Sequence, residues 1–242
     1  MSIYAISSSC PDVVIAPGDV LALAKSLARC ARWWSIPTPH VVYTTRVGDL
    51  DDPGAVDVHI VPDWSAPQFA GTPAQDIAYH TVGPDGRAVC YISWATVQVN
   101  GGTPRGPNGL WSAVSHECLE SLINPFLDRY VANPAGQQEP VEVCDRLEGD
   151  DYEEDGSPGV WLSNALGPQG FGLVTASPKM RVDIASDLRP SQWTTPFPLA
   201  PGGYYAPVDG PPVFGERAPA HLRERVTRLG ARSGAVRQAM RG

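Results

Sequence analysis

Residues 110–124 read Leu110-Trp111-Ser112-Ala113-Val114-Ser115-His116-Glu117-Cys118-Leu119-Glu120-Ser121-Leu122-Ile123-Asn124, with Pro125 next. Trp111, Val114, Cys118 and Leu122 recur at helical spacing, which predicts a helix that Pro125 stops. Asn108 is the expected N-cap. On this helix His116 and Glu120 are four apart and therefore share a face. HExxH helices present two metal ligands at that spacing, and the glutamate after the first ligand, here Glu117, is the general base. The second histidine is replaced by Glu120. A carboxylate ligates zinc at about 2.0–2.2 Å, and its hardness brings calcium or manganese into range. The rival reading is a solvated charged face. Against it, the apolar neighbours predict a buried helix, and buried ionisable groups need partners such as a metal.

A catalytic zinc takes three protein ligands and keeps one open position. The nearest third candidate is Asp145, in Glu142-Val143-Cys144-Asp145, and Glu142 competes with it. If residues 140–144 are a strand, Glu142 and Asp145 point to opposite faces, so only one reaches the metal without a bulge.

Working outward, residues 19–34 form the expected first helix, opened by Gly18 or Asp19 and followed by Pro37. Residues 40–45, 57–62, 88–98, 140–144, 159–164 and 171–175 are expected strands. Residues 2–7 and 11–16 are short apolar runs. Residues 145–156 are acidic and turn-like, and residues 189–215 are rich in Pro and Gly. The order predicts an α+β or α/β fold, a mixed sheet packed against the metal-site helix, in one domain over residues 1–215. Residues 216–242 are expected to be a basic C-terminal arm, its last 24 residues forming one basic helix weakened by Gly230 and Gly234.

The chain has 242 residues and a net charge of −8. Residues 216–242 hold seven Arg and two Glu, so this arm carries +5 and the rest −13. An acidic body makes nucleic acid an unexpected partner. The arm suits self-association or docking on an acidic protein. Five cysteines without a CxxC pair read as reduced, buried thiols. The N-terminus lacks a signal-peptide pattern, and no apolar run is long enough for a membrane span.

From about residue 78 to 205 the chain resembles a group of uncharacterised proteins of tailed phages and bacteria. The shared pattern is carried here by Tyr79-His80, Ser115-His116-Glu117-Cys118-Leu119-Glu120 with Asn124-Pro125, Glu142-Val143-Cys144-Asp145, Ser163-Asn164 and Pro201-Gly202-Gly203-Tyr204. The resemblance implies a zincin-like site with His116, Glu120 and Asp145 as ligands and Glu117 as base. It also implies phage or prophage origin, and so a virion or host-cytoplasm location. Asn124 stands where Asp is more usual, which weakens an expected supporting hydrogen bond. Arg146 stands where Pro is common and puts a cation beside Asp145 that competes with the metal.

Tyr152 is a candidate oxyanion stabiliser, against the blander reading of a loop anchor. His80 reads first as a structural hydrogen-bonding residue and second as a substrate or metal contact. His40, His59 and His221 read as structural or exposed. Asp150, Asp151, Glu153 and Asp155 admit a calcium loop as a minority reading. The expected function is a metal-dependent hydrolase acting on peptide or protein. The alternative is a structural component of a phage virion, in contact with other virion proteins and without turnover.

Overall fold

The computed structural model describes residues 2–44, 54–174, 182–189, 192–220 and 222–223. The fold is α+β. Its main sheet has five strands: β1 (Ile3–Ser8), β2 (His40–Tyr43), β3 (Ala55–Val61), β4 (Ala78–Val82) and β5 (Ala88–Ser93), in the order β2-β1-β3-β5-β4. β2, β1, β3 and β5 are parallel, and β4 closes one edge antiparallel to β5. The sheet is therefore mixed.

Alternation along the strands gives the sheet two faces. Tyr4, Ile6, Val58, Ile60, Cys90 and Ile92 are buried in the main core. Helix α1 (Pro17–Trp33) contributes Ala22, Leu23, Leu27 and Cys30 to that core, and α3 (Leu110–Ile123) contributes Val114, Cys118, Leu119 and Ile123. Tyr4 and Ser121 share a hydrogen bond of 3.2 Å, which ties β1 to α3. Full burial of each such aliphatic side chain stabilises the fold by about 1.5–3 kcal/mol. Positions of opposite parity along the strands hold His59, Tyr79 and Tyr91, which pack with Trp64 and Phe69. His59 Nδ1 is 2.9 Å from Ser7 Oγ, a structural role. His40 is exposed.

Several sequence expectations change. α1 begins at Pro17, and Asp19 serves its start from the third helical position by accepting the Ala16 amide at 3.0 Å. The strand expected over 88–98 stops at Ser93, which caps α2 (Trp94–Val99) by accepting the Thr96 amide. A serine oxygen that satisfies an orphan amide outweighs the β-branched composition downstream. Asn108 is not the cap of α3. It has a positive φ of 53°, Gly109 is the cap residue, and the Asp151 carboxylate receives the Asn108 amide at 2.7 Å. Residues 171–174 are not a strand, Pro168–Phe171 being a 3-10 turn, and residue 175 of that expected strand lies outside the described residues.

Residues 140–144 also fail as a strand. β7 (Gln138–Pro140) pairs with β6 (Tyr130–Ala132) and ends at Pro140. The chain then turns into a 3-10 turn, Asp145–Leu147. Next come β8 (Asp151–Glu153) and β9 (Trp161–Ser163), an antiparallel pair. Ser163 donates its amide to Ser115 Oγ at 2.8 Å, which fastens β9 to α3. The last pair is β10 (Tyr204–Tyr205) with β11 (Val213–Phe214). Residues 221 and 224–242, which include His221 and most of the basic arm, lie outside the described residues. All five cysteines are free and buried. Among the described residues, no helix is long and apolar enough to cross a membrane.

Candidate metal centre

Three segments converge on the inward face of α3. The helix supplies His116, Glu117 and Glu120, the edge strand β4 supplies His80, and the turn after β7 supplies Glu142, Asp145 and Glu148. Glu120 is four residues after His116 and three after Glu117, so it stands between the rows that these two residues occupy.

On one side, His116 Nε2 lies 3.3 Å from Glu120 Oε1 and 3.4 Å from Asp145 Oδ1. Two ligand atoms held at about 2.0–2.2 Å in tetrahedral geometry sit about 3.3–3.5 Å apart, so these separations suit one zinc-sized ion. The structure thus brings together all three residues expected as ligands. His116 Nδ1 is 3.4 Å from Glu148 Oε2, an imidazole held between ligand position and outer carboxylate as in many metal sites. The Cys144 amide donates to Glu120 Oε1 at 3.3 Å.

On the other side, His80 Nδ1 lies 3.3 Å from Glu117 Oε2 and 3.7 Å from Glu120 Oε2, and its Nε2 lies 3.8 Å from Glu142 Oε2. His80, Glu117 and Glu120 form a second group able to hold a metal. Glu142 and Asp145 both turn towards α3. Of the two, only Asp145 belongs to a group able to hold a metal, as expected, although the segment between them is a turn without strand alternation.

The electrostatics follow from the crowding of carboxylates. Burial alone would lower the His80 imidazolium pKa. The hydrogen bond to Glu117 and the charges of Glu142, Glu117 and Glu120 outweigh burial and raise it to about 10. His116 is likewise raised, burial being overcome by Glu120 and Glu148. Burial and the Glu120 charge push Asp145 up to about 7, against the pull of His116. Glu142 is raised well above the usual carboxylate range by burial and by Glu120.

Asn124, fully buried, donates from Nδ2 to Glu142 Oε1 at 3.1 Å, while its Oδ1 accepts the amides of Asp128 and Arg129 at 3.0 Å. In this chain Asn124 therefore supplies a hydrogen bond to Glu142. Arg146 does not compete for Asp145. Its guanidinium pairs with Glu139 at 2.6 and 2.8 Å and stacks 3.9 Å from the Tyr205 ring centre. Tyr204, in the Pro201-Gly202-Gly203 turn, hydrogen-bonds Asp145. Side chains at Gly202 and Gly203 would strike the Glu148 and Arg146 carbonyls, so glycine lets this turn lie against the Asp145–Leu147 backbone.

Tyr152 is not brought to the centre as an oxyanion donor. It is buried, with its hydroxyl bonded to Arg29 at 2.9 Å and Ser26 at 2.7 Å. The calcium-loop acids are engaged by protein groups as well. Asp150 holds Arg189, Trp193 and Asn164, Asp151 holds the Asn108 amide, and Glu153 holds the Gly159 amide.

A cleft reaches the centre between the start of α3 and the Glu148 turn. His116, Glu117, Ser112, Glu148, Asp151 and Ser163 line it, and the space open to a water-sized molecule is about 70 Å³. The His116 side chain is 12% exposed, so solvent reaches the first group of ligands. Sequence reasoning under-weighted His80 and passed over Glu148 and Tyr204 as site residues. The sequence signal for His80 was its place in a strand, two residues after the apolar Ala78 and so on the same face. Comparison with protein-family models, with curated proteins and with solved structures gives no match.

Proposed function

We propose that the chain is a metal-dependent hydrolase of the zincin-like kind, acting on a peptide or related amide through an ion held by His116, Glu120 and Asp145. The observation that carries this is the convergence of those three side chains, at 3.3 and 3.4 Å, beneath a cleft open to water. Two nitrogen- and oxygen-bearing residues from a helix and one carboxylate from a later turn make a donor set that suits zinc.

A bound zinc ion supplies a Lewis acid that polarises a carbonyl and makes water acidic near neutral pH. Glu117 lines the same cleft and accepts the proton of the attacking water. Its carboxylate then returns that proton to the leaving amine. His80 fixes the Glu117 carboxylate by their 3.3 Å hydrogen bond. Glu148 fixes the His116 ring and Tyr204 fixes Asp145.

Purified protein is expected to hold zinc that His116→Ala loses. Against a pool of fluorogenic peptides, Glu117→Gln should cut turnover by about 10²–10⁴-fold while the ion at His116 and the fold are kept. A Glu117→Gln variant as active as wild type would reject the mechanism.

The narrowness of the cleft favours a second reading, in which the metal only stabilises the chain as a structural component of a phage particle. Under that reading zinc raises the melting temperature, and no substrate in the pool is turned over.

A further inference from the structure

Glu120 divides the centre into two halves with matching layouts. Its Oε1 faces His116 and its Oε2 faces His80, at 3.3 and 3.7 Å. Each histidine turns one nitrogen towards Glu120 and the other towards an outer carboxylate, Glu148 for His116 and Glu142 for His80. Each half also has one more carboxylate, Asp145 beside His116 and Glu117 beside His80.

Two polar atoms in the His80 half have no hydrogen-bond partner. They are His80 Nε2 and Glu142 Oε2, which face one another at 3.8 Å. The His80 side chain is only 4% exposed. Leaving buried polar atoms unpaired is costly, since each has given up its water without a replacement. The charge balance points the same way. Glu117, Glu120, Glu142, Asp145 and Glu148 put five carboxylates around two imidazoles, and among the described residues no Lys or Arg forms an ion pair with any of the five.

We infer that the centre is dinuclear: a second divalent cation binds between His80, Glu117 and Glu120, with the Glu120 carboxylate bridging it to the ion at His116. His80 ligates through Nδ1, which puts the remaining proton on Nε2, facing Glu142 Oε2 at 3.8 Å, so that a small approach of the two side chains would pair both orphaned atoms. Asn124 holds the other Glu142 oxygen, so this outer carboxylate is already oriented. In the two-ion state Glu117 is a ligand, and its action as base belongs to the one-ion state. Paired ions about 3.5–4 Å apart clamp attacking and leaving oxygens in hydrolytic sites. This inference rests on the His116 site proposed above.

The test is to strip the full chain with chelator, titrate it with manganese(II), and read stoichiometry by calorimetry and elemental analysis and coupling by electron paramagnetic resonance. Wild type should take two ions per chain and show an exchange-coupled spectrum. His80→Asn and His116→Ala should each take one and show an uncoupled signal. If His80→Asn does not fold, Glu142→Gln serves in its place: it should weaken the second ion by about 10–100-fold and leave the first unchanged. One ion in wild type, lost in His116→Ala and kept in His80→Asn or Glu142→Gln, would overturn the second site and leave the His116 site standing. No ion in wild type would overturn both, and two uncoupled ions would overturn the bridge.

Discussion

Two sets of buried carboxylates in this fold are treated in opposite ways. Glu139 and Glu154 are each almost fully buried, and each meets an arginine, Arg146 and Arg29. Glu117 and Glu120 are buried as deeply, yet their charged neighbours within ion-pair distance are histidines. An arginine stays charged at all ordinary pH and neutralises its acid permanently. A histidine can give up its proton and become a ligand. The first set therefore belongs to the scaffold, and the second set leaves its charge available for a cation.

The largest effect that could break this contrast is on the scaffold side. Arg146→Met strands Glu139 in the interior and should cost about 3–5 kcal/mol in denaturant unfolding. A loss under 1 kcal/mol would mean that Glu139 does not depend on its arginine. On the site side, zinc should stabilise the wild type by about 2.7 kcal/mol at a hundredfold excess over its Kd. His116→Ala should lose that gain at the same zinc concentration, as read from paired thermal melts. Asn124→Asp sharpens the comparison further. It replaces the donor facing Glu142 by another carboxylate and should cost the metal-free protein about 1–2 kcal/mol, with the deficit shrinking when divalent metal is added.

The smallest expected effect concerns an acid outside both sets. Asp183 is raised to about 6 by burial, against the Asn164 hydrogen bond. A raised folded pKa means that the folded state binds the proton more tightly. The stability this gives is present below about pH 4 and is lost as pH rises through about 6. Asp183→Asn should flatten that part of the stability profile by on the order of 1 kcal/mol, visible as the difference between the two proteins' denaturation midpoints across pH 4–6.

The fold was readable where one period dominates. α1 and α3 follow from apolar residues at helical spacing, and β3 from a run of β-branched residues. It was not readable where a single polar atom decides. Ser93 turns a strand into a helix through one capping bond, and Pro140 ends β7 before the alternation expected of residues 140–144 can develop. That second error hid the turn that brings Glu142, Asp145 and Glu148 to the centre together. The helix motif gave His116, Glu117 and Glu120 by spacing alone. His80 and Glu148 reach the centre only through tertiary packing, and no local period marks Glu148. Arg146 was misjudged for a related reason: sequence places it beside Asp145, while the side chain reaches Glu139, seven residues back.

β4 is an edge strand, bonded on one side to β5 and on the other to no strand of the main sheet. His116 and Glu120 stand on a helix packed between the sheet, α1 and β9. Edge strands open at lower free energy than buried elements. The two halves of the centre therefore differ in permanence as well as in ligands. If the centre holds two ions as proposed, fraying of β4 would carry His80 away while the His116 half stays assembled, and an ion on the His80 side would exchange with solution faster than its neighbour. On that proposal, a falling metal supply would empty the centre in a fixed order, the His80 side first.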